Sequence, residues 1–220
     1  MTTESRVYGY LTQPEIRFLD AAVERLIPTD DLGPGAKAAG VTYYIDQQLV
    51  SIWGSHGRNY RSGPWAEGTP RQGFQSRLTP REIYRTAIRE TNIHCLQSHG
   101  KAFEFLTAEQ QDAILKELQT AAIALPSVSS KLFFKLLLRN TMEGFFADPI
   151  YGGNVDKVGW RLVGFPGVPS SSYTDLIGEG HIEYRVEPVS ILDIMQGKVK
   201  VDAQGLPVHV RLQDKQGSGK

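Results

Sequence analysis

Apolar residues along the first part of the chain return every three or four positions, which is the period of an amphipathic helix. Thr12, Thr79 and Thr107 each precede such a pattern and stand three residues before a glutamate or glutamine. This spacing is typical of a capping box, in which two side chains bind backbone N–H groups at a helix N-terminus. A further helix is predicted at about 35–50. Its apolar side is formed by Val41, Tyr44, Ile45 and Leu49.

Residues 127–146 differ, because apolar residues surround most of the predicted helix. Its polar side chains are largely Lys131, Lys135, Arg139 and Glu143, which are spaced by four and therefore share one edge. A helix that is apolar on nearly all sides is typical of the centre of a bundle. The predicted fold class is therefore mainly α, a helical bundle around a central apolar helix at about 127–146.

Two regions break the helical pattern. Residues 51–78 form a long glycine-rich loop, and loops of that length are usually functional or disordered. From about residue 148 to residue 220 the chain is an irregular extension rich in glycine and proline. Alternating valines around a glycine-containing turn at 199–210 predict a short β-hairpin in this extension. We expect a single domain over residues 1–220, with its helical body at about 12–147.

The 24 basic and 24 acidic side chains balance, so the formal net charge of the 220-residue chain is zero. That balance gives no overall attraction to nucleic acid or to an anionic membrane, and we expect neither as a partner. No apolar run approaches the roughly 18 residues of a spanning helix, so we expect no direct membrane span. The N-terminal residues lack the pattern of a signal peptide, which indicates either a cytoplasmic chain or one from which the signal was removed.

The sequence offers few groups with the spacing of a chemical site. The glycine-rich residues 33–40 lack the fingerprint of a nucleotide loop and predict a turn at a helix start. Glu90 and His94 lie four apart, but no second pair accompanies them, so we expect no metal there. Cys95 is expected to be a buried thiol, the alternative being a thiol that faces a partner subunit. We predict no catalytic, cofactor-binding or metal-binding residue in this chain.

The loop at 51–78 interleaves arginines with aromatic residues, a composition found both at nucleic-acid sites and at protein interfaces. Because the net charge is zero, a protein partner is favoured. The alternative is a mobile loop with a few anchoring aromatics. We predict Tyr60, Trp65 and Phe74 as partner contacts.

Two long stretches are more specific than any of these single features. The first, LDAAVERLIPTDDLGPGAKAAGVTYYIDQQL, spans residues 19–49, and the second, NTMEGFFADPIYGGNVDKVGWRLVGFPG, spans residues 140–167. Taken together they resemble the two signatures of the gluconate 2-dehydrogenase subunit 3 family, the small (gamma) subunit. Their order and spacing agree with that family, and the resemblance extends over residues 12–167.

The resemblance implies a small subunit of a membrane-associated, flavin-dependent dehydrogenase that oxidises a sugar or sugar acid. In that family the large subunit is of the glucose–methanol–choline oxidoreductase type, binds FAD and oxidises the substrate. A multihaem cytochrome c subunit passes the electrons onward to the quinone pool. The small subunit carries no redox centre and supports the stability, maturation or export of the large subunit. The resemblance therefore implies a periplasmic location, associated with the inner membrane through the partners.

The second stretch begins near the end of the predicted central helix. Pro149 prevents that helix from continuing, and the glycine pair that follows permits backbone angles that other residues resist. We expect a structural corner here and not a phosphate-binding loop. The corner is predicted to bring Tyr151 and Trp160 against the bundle or against a partner, and both are predicted as partner contacts.

Two other functions stay open at this point. An independent helical metalloprotein enzyme would use Glu90 and His94 to hold its metal. An export chaperone or adaptor would release its client and would not be retained in the mature complex. A stoichiometric bound metal would favour the first, and a transient association would favour the second.

Overall fold

A computed structural model describes residues 6–57, 62–65, 68–69, 71, 76–168, 186–200 and 203. Within these residues the protein is mainly helical, as predicted, and its β-structure consists of isolated bridges. The helices in chain order are α1 (Gln13–Leu26), α2 (Val41–Val50), α3 (Ile52–Ser55), α4 (Pro80–His99), α5 (Ala108–Thr120), α6 (Ser130–Phe146), α7 (Val158–Val163) and α8 (Ile191–Met195). Short 3-10 turns lie at Phe103–Phe105, Pro149–Tyr151 and Val155–Lys157. The hairpin predicted at 199–210 lies largely outside the described residues.

The three predicted capping boxes are present, and they start α1, α4 and α5. At α4 the backbone N–H of Thr79 donates to Glu82 Oε2 at 2.7 Å, and the N–H of Glu82 donates to Thr79 Oγ1 at 3.3 Å. Helix α6 is capped by Ser129, whose hydroxyl oxygen accepts the N–H of Leu132 at 3.3 Å. Because each cap binds N–H groups that have no partner inside the helix, these side chains determine where the helices begin.

Helix α6 lies at the centre of the bundle and contacts α1, α2, α4, α5 and α7. Phe133, Leu137 and Phe145 on α6 are buried in the core. The polar edge predicted for this helix also carries Leu138 and Met142, which are exposed, so less of α6 is enclosed than the sequence indicates. Neither α6 nor any other helix in the described ranges has the length and apolarity to cross a membrane.

Helix α2 begins at Val41, later than the start predicted near residue 35. Gly40 has a φ of 76°, a left-handed angle that a continuous helix cannot contain. The residues before it form the turn predicted for the glycine-rich stretch. Gly40 also leaves room for the guanidinium of Arg6, which lies 5.1 Å from the centroid of the Tyr43 ring. The N-terminal segment therefore lies across the start of α2.

Two regions predicted to be irregular contain short helices. The loop at 51–78 begins with α3, because the hydroxyl oxygen of Ser51 caps that helix by accepting the N–H of Trp53 at 3.1 Å. The extension after residue 148 contains α7 and α8. Both regions therefore contain short helices that the sequence did not reveal.

A buried carboxylate fixes the N-terminal segment on the bundle. Asp46 on α2 is fully buried and accepts the backbone N–H groups of Gly9 at 2.7 Å, Tyr10 at 2.9 Å and Leu11 at 2.8 Å. Hydrogen bonds to an ionised carboxylate are stronger than neutral ones and offset part of the cost of burying its charge. The segment that leads into α1 is thereby held against α2.

Candidate functional site

Helix α6 ends in a corner, by which we mean residues 144–163, and Asn154 holds this corner together. The Nδ2 group of Asn154 donates to the carbonyl oxygen of Ala147 at 2.9 Å, and its Oδ1 accepts the N–H of Gly159 at 2.8 Å. Asn154 is fully buried and has a φ of 47°, a left-handed angle that asparagine adopts more readily than most residues. One side chain thereby joins the end of α6 to the start of α7.

Glycines allow backbone segments to touch inside the corner. A Cβ atom at Gly153 would overlap the carbonyl oxygen of Gly144, and a Cβ atom at Gly159 would overlap that of Phe145. Trp160 packs over the same place, and its Nε1–H donates to the carbonyl oxygen of Phe146 at 2.7 Å. These contacts agree with the structural corner predicted from the sequence.

The corner also joins the two stretches that the sequence singles out. The N–H of Val155 donates to the carbonyl oxygen of Ala39 at 3.0 Å. Gly144 on α6 lies so close to α2 that an added Cβ would come within 2.7 Å of the Tyr44 ring. Residues 19–49 and 140–167 therefore form one contiguous unit of the fold.

Helix α8 is fastened to the corner by a cluster of charged side chains. Lys157 Nζ lies 2.8 Å from Asp193 Oδ2 and 3.8 Å from Glu187 Oε1, and Arg161 pairs with the same Glu187. The hydroxyl of Ser190 donates to Asp193 Oδ2 at 2.7 Å and forms a capping box with it. Burial alone would raise the pKa of the Asp193 carboxyl, but hydrogen bonds from Lys157 and Ser190 lower the pKa below its ordinary value. Asp193 is therefore ionised at neutral pH.

We expect the contribution of Asp193 to stability to disappear in acid. A carboxyl whose pKa is lowered by folding stabilises the folded state at any pH above its unfolded-state pKa, which is about 3.9 for Asp. That stabilisation is lost as the pH falls from there through the folded-state pKa. The wild type should therefore exceed Asp193→Asn in unfolding free energy by about 1 kcal/mol at pH 7, and this excess should shrink as the pH falls below about 3.9.

Urea unfolding of both proteins between pH 7 and pH ~2.5 measures this difference. Asp31→Asn is the matched control, because Asp31 is exposed and has no ion pair with a described residue. A pH-independent difference for Asp193→Asn would show that the carboxylate charge does not fasten α8.

A cleft of about 310 Å³ lies between the corner and α8 and adjoins a second one of about 420 Å³. The basic residues that line the two clefts are Arg6, Lys157, Arg161, Lys198 and Lys200, and the acidic ones are Asp156, Glu187 and Asp193. Five basic and three acidic groups leave a local positive excess in a chain whose net charge is zero. Arg6 and Lys198 have no ion pair with any described residue, although the Arg6 guanidinium lies over the Tyr43 ring.

Helix α8 turns its apolar side away from the protein. Leu192, Asp193 and Gln196 line the cleft, whereas Ile191, Ile194 and Met195 are exposed, Met195 by 72%. Positions i, i+3 and i+4 share one face of a helix, so these three side chains form an apolar stripe on the outside. The N-terminus of α8 is held beside the turn Pro149–Tyr151, because the N–H of Ile191 donates to Asp148 Oδ2 at 2.8 Å.

The five residues predicted as partner contacts are placed differently by the structure. Tyr151 is 55% exposed and lies beside α8. Trp160 is only 5% exposed and lies against the bundle, so its side chain belongs to the interior of this chain. Trp65 is half-buried in the loop. Tyr60 and Phe74 lie outside the described residues. The contact of these residues with a partner stays a prediction.

The face of α4 that the sequence offers for a metal is used in another way. Glu90 is buried, and its Oε2 accepts the N–H of Ser127 at 3.2 Å. In the described part of the chain, no three His, Cys, Asp or Glu side chains are placed to hold a metal ion. Cys95 is buried, as predicted, and burial raises the pKa of its thiol to about 11. The thiol is therefore protonated at neutral pH and a weak nucleophile.

The sequence reasoning missed α8 and its exposed stripe. One signal was available, because Ser190 and Asp193 have the S-x-x-D spacing that precedes an apolar run at a helix start. Helix α8 is too short for a helical period to be recognised in its five residues.

A sequence model of the family described as "Gluconate 2-dehydrogenase subunit 3" matches residues 13–167, which include the whole corner and nearly all of the helical body. No curated protein and no solved structure matched the chain.

Proposed function

Since the chain belongs to the gluconate 2-dehydrogenase subunit 3 family, we propose that it is the non-catalytic small (gamma) subunit of an FAD-dependent dehydrogenase complex for a sugar or sugar acid. The partner that oxidises the substrate is a large subunit of the glucose–methanol–choline oxidoreductase type, which holds the FAD. A multihaem cytochrome c subunit takes the electrons onward to quinone. This chain stabilises the flavoprotein and supports its maturation or export.

The observation that carries this proposal is the outward apolar stripe of α8 beside the exposed Tyr151. Exposed apolar side chains grouped on one face are typical of a protein interaction site. The polar groups of the corner, by contrast, bind other groups of this chain: Asn154 joins two backbone segments, and Lys157 is paired with Asp193. The corner is thus suited to holding a surface in a fixed shape for a partner.

The location that fits this role is the periplasm, with attachment to the inner membrane through the partner subunits. In that arrangement the chain needs no membrane contact of its own, because the cytochrome subunit anchors the complex. Support for the location comes from the family alone.

The proposal is tested by co-expressing the tagged chain with the proteins encoded beside it. We expect a yellow complex of the chain with one flavoprotein, and reduction of a dye by that complex on addition of gluconate or a related sugar acid. The chain purified alone should be colourless and inactive, which serves as the control.

Three outcomes would contradict the proposal. Flavin or dehydrogenase activity in the isolated chain would show that this chain itself carries the active site. A stoichiometric bound metal that is lost in His94→Ala would favour an independent metalloprotein enzyme. A flavoprotein that associates with the chain only before export, and is active without it, would favour an export chaperone.

A further inference from the structure

Helix α8 is amphipathic in the inverse sense to the other helices. A surface helix normally buries its apolar residues and exposes its polar ones. Here Asp193 faces the protein and pairs with Lys157, while Ile191, Ile194 and Met195 face solvent. The orientation is fixed at three points, by the Lys157 ion pair, by the capping box with Ser190, and by the Ile191 N–H bound to Asp148. The apolar stripe is therefore held outward by specific bonds.

The charges beside α8 have one sign in excess. Lys198 lies three residues after the end of α8 and lines the cleft together with Arg6, and neither has an ion pair with a described residue. Lys157 and Arg161, which line the same cleft, are paired with Asp193 and Glu187. Arg6 and Lys198, which have no described ion pair, are exposed and line the cleft on the side of α8 that carries Leu192.

We propose, on the basis of the proposed function, that the large flavoprotein subunit docks on the α8 surface. The docking segment of that subunit is apolar and carries carboxylates. By the α8 surface we mean Ile191, Ile194, Met195, Arg6 and Lys198. The apolar side chains of that segment cover Ile194 and Met195, and its carboxylates pair with Arg6 and Lys198. Methionine and arginine are enriched at protein interfaces, and opposite charges at a rim set the register of docking.

A small anion fits this surface less well than a protein segment. Lys157 and Arg161 are already paired, so a small anion would find only the exposed Arg6, Lys198 and Lys200 among the cations that line the two clefts. Such an anion would also leave the apolar stripe uncovered. A segment that carries both apolar and acidic side chains contacts both features at once.

Photo-crosslinking identifies what covers α8. The residue p-benzoylphenylalanine is introduced at Met195, the co-expressed complex is irradiated, and the crosslinked peptide is identified by mass spectrometry. We expect a crosslink to an Asp- or Glu-containing peptide of the flavoprotein. The matched control is the same substitution at Leu96, which is 52% exposed on α4 and does not line the cleft; it should give no such peptide.

Charge reversal tests the electrostatic part of the inference. We expect Arg6→Glu with Lys198→Glu to weaken the complex by about tenfold or more, and Met195→Asp to do the same. Lys131→Glu, an exposed lysine without an ion pair to a described residue, and Leu96→Asp should leave the affinity unchanged. Replacing the acidic residue of the crosslinked peptide with lysine should restore binding to the reversed variant.

The outcomes separate this inference from the proposed function. If the wild type forms no complex with a flavoprotein, the proposed function fails. If the complex forms but Met195 crosslinks to a second copy, to this chain itself or to nothing, the docking inference is overturned and the function stands. The docking inference is also overturned if Met195→Asp and the charge-reversed variant bind the flavoprotein as tightly as the wild type does. Both variants must then show the circular dichroism spectrum of the folded wild type.

Discussion

Asp46→Asn is expected to lower the free energy of unfolding by about 3 kcal/mol. The Asp46 carboxylate accepts three backbone N–H groups, those of Gly9, Tyr10 and Leu11, in a place without solvent access. An amide has only one oxygen, and its NH2 group would face N–H donors and repel them. At least one of the three N–H groups would therefore lose its acceptor.

Chemical unfolding of the two proteins at pH 7 measures this loss. Asp20→Asn provides the control, since Asp20 is half-buried on α1 but its carboxylate has no hydrogen bond or ion pair with a described residue. The control should change the free energy by no more than about 0.5 kcal/mol. A loss below about 1 kcal/mol in Asp46→Asn would mean that the N-terminal segment is held by its packing and not by this carboxylate.

The second large effect is expected at Gly153, where Gly153→Ala should destabilise the protein by about 3 kcal/mol. Its Cβ would overlap the carbonyl oxygen of Gly144, which belongs to the rigid backbone of α6 and cannot rotate away. Either α6 or the turn before α7 must shift, and a shift there strains the two hydrogen bonds of Asn154.

Thermal or urea unfolding compares Gly153→Ala with Gly164→Ala. Gly164 has a φ of 68° but no atom within 4 Å of the added Cβ, so its substitution costs only the left-handed strain of about 1 kcal/mol. Gly153 does not have a left-handed φ, so the loss in Gly153→Ala reports the steric contact, whereas the loss in Gly164→Ala reports the conformational preference of glycine. Equal losses would show that the corner yields to an added methyl group.

Much of the helical body could be predicted from local chemistry. The capping boxes at Thr12, Thr79 and Thr107 are complete within four residues each, so the information needed to start those helices is local. The end of α6 before Pro149 could be predicted for the same reason, because proline forbids the continuing helix whatever surrounds it. Burial of α6 followed from its unusually wide apolar surface.

The candidate site was less accessible from the sequence, because its geometry depends on contacts between distant segments. Trp160 could be singled out as an aromatic residue, but its burial follows from the bond to Phe146, which only the folded corner brings within reach. The outward orientation of Met195 follows from the Lys157–Asp193 pair, whose members are far apart in sequence. The same pattern of apolar residues is found whether that face of a helix packs inward or points to solvent. The sequence alone therefore cannot distinguish the two orientations.

The bond between Val155 and Ala39 has a consequence for how the chain is made. During synthesis the residues of α2 leave the ribosome long before those of the corner, and domains fold only when all of their parts have emerged. Until then Tyr44 has no Gly144 against it, and an apolar side of α2 is open to other chains. The nascent protein therefore passes through an interval in which aggregation competes with folding, and a holdase chaperone that covers α2 would raise the yield of folded protein.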